Sequence, residues 1–212
     1  MKHDSVIFDL DGTLLDTLGD LCSAVNATMR KYSYPERTLE EVRTFVGNGV
    51  RVLVEKSMPE GSDEEMKDRV LADFKAYYAE HNREKTAPYP GIIELLEKLR
   101  GENVPCAVVS NKIDPATKAL TAQFFGDRIQ VAIGEREGIE RKPAPDSVFE
   151  AMKLLSSENP VYVGDSEVDV QTAKNAGIDG VFVTWGFRTA KELEASGAET
   201  CVSSVNELWG LL

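Results

Sequence analysis

Two textures alternate along the chain. Val6-Ile7-Phe8, Val104-Pro105-Cys106-Ala107-Val108-Val109, Ile129-Gln130-Val131-Ala132-Ile133, Val161-Tyr162-Val163-Gly164 and Gly180-Val181-Phe182-Val183-Thr184 are short, mostly apolar runs. Runs of this length suit strands buried on both faces of a parallel sheet. Between them lie helical spacings. Ile92, Ile93, Leu96 and Leu99 share one helix face, residues 115–125 predict a second helix, and a third follows Pro145. Residues 167–176 predict a helix closed by Gly177, and Thr189-Ala190-Lys191-Glu192 caps another. Strand and helix in regular alternation predict a doubly wound parallel sheet.

Residues 16–85 read differently. Leu18, Leu21, Val25 and Met29 predict an amphipathic helix over 16–34, which Pro35 stops. Thr38-Leu39-Glu40-Glu41 and Ser62-Asp63-Glu64-Glu65 both have capping-box spacing, the second opening a long helix to about His81. Gly47-Asn48-Gly49 interrupts the chain between them, and no strand is expected here. The expected fold class is therefore α/β, a doubly wound (Rossmann-like) parallel-sheet core of residues 1–15 and 88–212 with an α-helical domain inserted at 16–87. Leu14 to Thr17 and the stretch near Pro88 read as hinges.

Composition narrows the function. A formal net charge of -12 over 212 residues argues against binding a nucleic-acid backbone. No apolar run approaches the roughly 20 residues of a membrane span, and no signal-peptide core opens the chain, so a cytoplasmic protein is expected. Cys22, Cys106 and Cys201 are odd in number and far apart, which predicts reduced, mostly buried thiols. With only His3 and His81 present, a histidine-driven triad is not expected, and chemistry falls to carboxylates.

Asp9 and Asp11 follow the first apolar run, with Gly12 breaking the strand between them and what comes after. Both carboxylates then sit at the carboxyl edge of a buried strand, where open α/β sheets bind ligands. Acids so close repel each other unless a hard cation, Mg2+ above all, neutralises them. Asp-Gly is also ordinary turn chemistry. Other strand ends supply polar groups too. Ser110-Asn111-Lys112 follows Val109, offering a hydroxyl and helix-start N–H groups for a phosphate oxygen, or simply an N-cap. Asp165 repeats the Asp9 pattern after Gly164, and Asp169 is one helical turn onward, facing the site or merely complementing the helix dipole. Lys142 lies among prolines in Arg141-Lys142-Pro143-Ala144-Pro145, in the loop before the Asp165 strand unit, where it reaches the same edge or points to solvent.

Taken together and in this order, these residues resemble the four motifs of the haloacid dehalogenase superfamily of phosphohydrolases. Asp9-Leu10-Asp11-Gly12-Thr13 is similar to the first motif, Ser110 to the second, Lys142 to the third, and Gly164-Asp165 with Asp169 to the fourth. The helical insertion resembles the family's small α-helical cap. Asp-Gly-Thr-Leu-Leu-Asp-Thr, Val46-Gly47-Asn48-Gly49 and Gly-Asp-Ser-Glu-Val-Asp are each similar to stretches of its phosphoglycolate phosphatase group.

The resemblance implies a small phosphorylated metabolite as substrate; the acidic charge and the lack of a spanning run leave no nucleic-acid or membrane partner expected, and a monomer or homodimer is expected. It implies that Asp9 attacks phosphorus to form an aspartyl phosphate and that Asp11 serves as general acid, then base. Mg2+ is implied on Asp9, the Asp11 backbone carbonyl and Asp165. Lys142 would supply charge, with Ser110, Asn111, Gly12 and Thr13 binding the phosphate, and Asp169 would support Lys142 or a metal-bound water. A departing halide needs no proton, so an acid at Asp11 favours a phosphatase over a dehalogenase. In the cap, Asn48 and Arg51 either read a substrate carboxylate or belong to a plain helix–helix turn. Competing readings on the same core are an inorganic pyrophosphatase, a β-phosphoglucomutase-like mutase or a nucleotidase. Outside these stand a receiver-like phosphoacceptor and an inactive binding protein.

Overall fold

The computed structural model describes residues 2–212. The chain divides into two compact units, one of Met1–Leu15 and Pro88–Leu212, the other of Asp16–Ala87.

The first unit holds a six-stranded sheet in the order β5-β4-β1-β6-β7-β8, formed by β1 (Ser5–Phe8), β4 (Cys106–Ile113), β5 (Val131–Glu135), β6 (Pro160–Gly164), β7 (Asp179–Val183) and β8 (Cys201–Val202). Every pairing is parallel. The chain steps outward from β1 to β4 and β5, then crosses to β6 on the other side of β1. That reversal beside β1 is the topological switch point where such sheets hold ligands.

Alternating residues feed two cores. Val6, Phe8, Val108, Val161 and Val163 pack on one face with the helix α5 (Ile92–Gly101) through Leu95, Leu96 and Leu99. Ile7, Ala107, Val109 and Tyr162 pack on the other, against Val148 and Ala151 of α7 (Asp146–Leu155) and Val170 and Ala173 of α8 (Glu167–Ala176). Residues 6–8, 106–109 and 161–163 are thus buried on both sides of the sheet, which is why each of these stretches is an unbroken apolar run.

Several boundaries differ from the sequence expectation. The β4 strand does not stop at Val109 but continues through Ser110, Asn111 and Lys112 to Ile113, and the next helix, α6 (Asp114–Phe125), begins only after it. The helix-start N–H groups expected at Ser110 are therefore not there. A register irregularity against β5 between Val109 and Ile113 lets the strand carry these polar residues past the apolar core. The β8 strand and the terminal helix α10 (Val205–Trp209) were not anticipated, because two- and five-residue elements carry too little periodicity.

The second unit is helical: α1 (Leu18–Lys31), α2 (Leu39–Phe45), α3 (Gly49–Ser57) and α4 (Glu64–His81). Thr38 and Glu41 form the expected capping box. At α4 the cap is Asp63, which accepts from the Met66 amide, and not Ser62, whose hydroxyl turns to the Pro59 carbonyl. Leu21, Val25, Met29, Val54, Val70 and Phe74 form its buried interior. Asp20, itself buried, ties α1 to the end of the unit by accepting from the amides of Lys85 and Thr86 and from the Thr86 hydroxyl. Two-residue strands β2 (Leu15–Asp16) and β3 (Ala87–Pro88) form a ribbon where the chain passes between the units. Among the described residues, no helix is long and apolar enough to cross a membrane. The three cysteines are free, and only Cys106 is buried.

Candidate active site

Asp9 sits directly beyond β1, its amide donating to the Val163 carbonyl at 2.8 Å, so β1 and β6 together fix its backbone. Asp165 leaves β6 one strand away. Lys142 arrives from the loop before α7, and its Nζ donates to Asp9 Oδ1 at 2.8 Å, to Asp169 Oδ1 at 2.8 Å and to the Tyr162 hydroxyl at 2.9 Å. An ammonium has three donors, and all three are used. Lys142 is therefore part of the site and not a solvated surface lysine; it is 4% exposed.

Local helix chemistry builds the Asp169 corner. Ser166 and Asp169 form the capping box of α8. Asp169 Oδ2 takes the Ser166 amide and hydroxyl and the Asp165 amide, while Oδ1 takes Lys142 and the Tyr162 hydroxyl. A Cβ on Gly164 would collide with Asp169, so only glycine lets this carboxylate lie against the strand end. Gly12, at φ 89°, and Gly186 are required in the same way beside Asp165.

Three residues expected to bind phosphate, Gly12, Thr13 and Asn111, have partners within the first unit. The Gly12 amide donates to the Leu15 carbonyl at 2.9 Å, closing the turn after β1. Thr13 donates its hydroxyl to Asp165 Oδ1 at 3.0 Å, and its carbonyl accepts from the Trp185 indole. Asp165 Oδ2 takes the Phe187 amide at 2.7 Å. Asn111 donates to the Lys142 carbonyl at 3.0 Å, and so holds the lysine loop. Ser110, 7% exposed, accepts from the Lys112 amide.

Asp11 was expected at the edge, and its partner was not. Lys112 Nζ lies 2.8 and 2.9 Å from the two Asp11 oxygens. Tyr162, Lys112 and the turn at Gly186-Phe187 are the site residues that sequence reasoning missed. Lys112 could have been noticed as the polar residue two places after Ser110, but the other two leave no local signal.

Asn48 and Arg51 belong to the second unit. Asn48 precedes α3 without a side-chain cap bond. The Arg51 guanidinium pairs with Asp68, Glu55 and Glu64. It would have to exchange those partners to read a substrate anion.

The electrostatics follow from burial. Desolvation pushes the Asp9 carboxyl up to about 7, with Asp169 adding to the rise against the pull of Lys142. Asp165 is raised well above the carboxylate range by burial, then by Asp169 and Asp9. Burial would raise Asp169 as well, but the Lys142 ammonium and its hydrogen bonds hold it below that range.

Asp9, Asp165 and Asp169 each bring an oxygen within 4.8 Å of the others, an all-oxygen set that fits a hard divalent cation. Asp169 already accepts from five donors, so Asp9 and Asp165, with lone pairs to spare, are the ones fitted to hold it. What results is Asp9 held on a buried ammonium with Asp165 beside it, and a further acid, Asp11, held apart on its own lysine.

The family model described as haloacid dehalogenase-like hydrolase matches residues 6–183. A phosphoglycolate phosphatase of Rhodobacter capsulatus is 38% identical over 188 residues, covering 87% of this chain and 85% of that protein. One of Pseudomonas putida is 33% identical over 211 residues, covering 96% and 77%. A crystal structure from Lactobacillus delbrueckii subsp. bulgaricus, described as a candidate phosphoglycolate phosphatase, matches with a TM-score of 0.95 at 38% identity, over 100% of this chain and 98% of that one.

Proposed function

This chain belongs to the haloacid dehalogenase-like hydrolase family, and on that footing we propose that it is a Mg2+-dependent phosphatase of small phosphorylated metabolites, with phosphoglycolate as its substrate. The names of its relatives support the substrate. The observation that carries the chemistry is the contact of Lys142 with Asp9 and Asp169 together, which holds a carboxylate nucleophile in place beside a site for a cation.

Asp9, the Asp11 carbonyl and Asp165 are the groups that would hold Mg2+, which when bound supplies positive charge to the phosphoryl oxygens. In the first half-reaction an Asp9 oxygen attacks phosphorus, the bond from phosphorus to the alkoxy oxygen breaks, and Asp11 gives its proton to that oxygen. In the second, a water attacks the aspartyl phosphate, gives a proton to Asp11, and inorganic phosphate leaves Asp9 free. Lys142 keeps Asp9 aligned through both halves. Ser110, on β4 beside β1, offers its hydroxyl to a phosphate oxygen. The division into a catalytic core, 1–15 and 88–212, and a cap, 16–87, belongs to the same reading.

A screen of small phosphomonoesters tests it. Turnover of phosphoglycolate in Mg2+ is expected, with loss in excess EDTA and a fall on the order of 10⁴-fold or more in Asp9→Asn. Hydrolysis that persists without metal, or an active Asp9→Asn enzyme, would overturn the mechanism. A preference for pyrophosphate or a hexose phosphate would overturn the substrate alone.

A further inference from the structure

Lys112 carries more than its place in a strand explains. Its side chain is 3% exposed, and it reaches across 101 residues of sequence to Asp11. An ammonium buried this deeply is retained only where a carboxylate compensates it, since burying a charge alone costs several kcal/mol. The irregularity in β4 between Val109 and Ile113 is what delivers it to the edge. Its two contacts, 2.8 and 2.9 Å, grip both oxygens of one carboxylate.

Lys142 cannot perform this task, because its three donors are taken by Asp9, Tyr162 and Asp169. The unit therefore has one buried ammonium for the nucleophile and another for the proton carrier.

We propose that Lys112 is a positioning residue for Asp11, holding its carboxyl in the orientation from which it serves the leaving-group oxygen. The proposal rests on the phosphatase reading above and deepens it. A carboxyl that carries a proton on one oxygen still offers the other to the ammonium, so the grip persists through both half-reactions. In the first, the proton passes from Asp11 to the alkoxy oxygen as its bond to phosphorus breaks, and Lys112 keeps its own three protons. Esters whose leaving group departs only with a proton should depend on Lys112 most.

The test compares first-turnover rates of Lys112→Met and the parent enzyme at saturating Mg2+, on phosphoglycolate and on 4-nitrophenyl phosphate, whose phenolate leaves without assistance. The fall on phosphoglycolate should be about 10- to 100-fold, below most of the 10²–10⁴-fold that general acid catalysis supplies, because Asp11 itself remains. It should exceed the fall on the aryl ester by about tenfold and appear in kcat with KM nearly unmoved. Lys112→Arg, which keeps a charged donor, should recover part of the difference, and it serves as the test if the Met variant does not fold. Equal falls on the two esters, or an effect confined to KM, would overturn the proposal while leaving the phosphatase reading intact. A parent enzyme that hydrolyses no phosphomonoester in Mg2+ would overturn both.

Discussion

Lys142 Nζ lies 2.8 Å from Asp9 Oδ1 although 133 residues separate them in the chain. The bond joins the loop before α7 to the end of β1, and it compensates a carboxylate that burial alone would neutralise. Replacing Lys142 by methionine leaves Asp9 and Asp169 buried without their cation. Such a loss costs about 3–5 kcal/mol, so denaturant unfolding of Lys142→Met should show a deficit of that size together with loss of turnover. A deficit near zero would mean the pair is solvated in solution.

Tyr162 closes a triangle with Lys142 and Asp169, its hydroxyl 2.9 Å from each. Phenylalanine preserves the ring in the core and removes only the bonds. Tyr162→Phe should lose about 1–3 kcal/mol of stability, the scale of a hydrogen bond to a charged group. If the triangle also aligns Lys142, kcat should fall about 3- to 10-fold with KM unchanged. Full kcat with reduced stability would restrict Tyr162 to a structural role.

Gly164 ends β6 against the Asp169 side chain. Gly164→Ala should destabilise by about 1–3 kcal/mol, because a methyl there forces either the strand end or α8 to shift. At this chain length that corresponds to a melting shift of roughly 2–4 °C per kcal/mol. Since the displaced group also holds Lys142, turnover should fall alongside.

Asp9 and Asp165 predict a pH signature. Both have folded-state values raised above the ordinary carboxylate range, Asp9 to about 7. Between about pH 4, where an unfolded Asp titrates, and pH 7 the unfolded chain therefore binds fewer protons than the folded one. Their contribution in EDTA is full below that window and is lost as pH rises through it. A cation that binds the ionised pair reverses the trend. Mg2+ should thus raise the melting temperature more at pH 8 than at pH 5, and an equal rise at both would refute the linkage. Asp169 has the opposite sign: its lowered value adds stability that is lost only as pH falls below the carboxylate range.

The elements were legible where periodicity was long. The apolar runs of β1, β4, β6 and β7 announced a sheet covered on both faces, and α1, α4 and α8 carried spacing or caps that their neighbours could not blur. Boundaries failed where two signals competed. Ser110-Asn111 looks like a helix cap, yet pairing with β5 out to Ile113 keeps it in strand. Ser62 and Asp63 are both good caps, and the position nearer the helix took the role.

For the site, the sequence by itself determined which polar residues follow the apolar runs: Asp9, Asp11 and Asp165 beyond strand ends and Ser110 within β4, with Lys142 and Asp169 in the adjoining loop and helix. It could do so because the junction of an apolar run with a polar residue is a local feature of the sequence. Which oxygen faces which ammonium was decided only by the tertiary structure. That Lys142 spends every donor on Asp9, Asp169 and Tyr162, and that Lys112 takes Asp11, depends on a loop and a strand, each more than a hundred residues from β1, arriving at one edge of the sheet. Buried charges must find partners wherever the fold brings them, and no local pattern records which partner that will be.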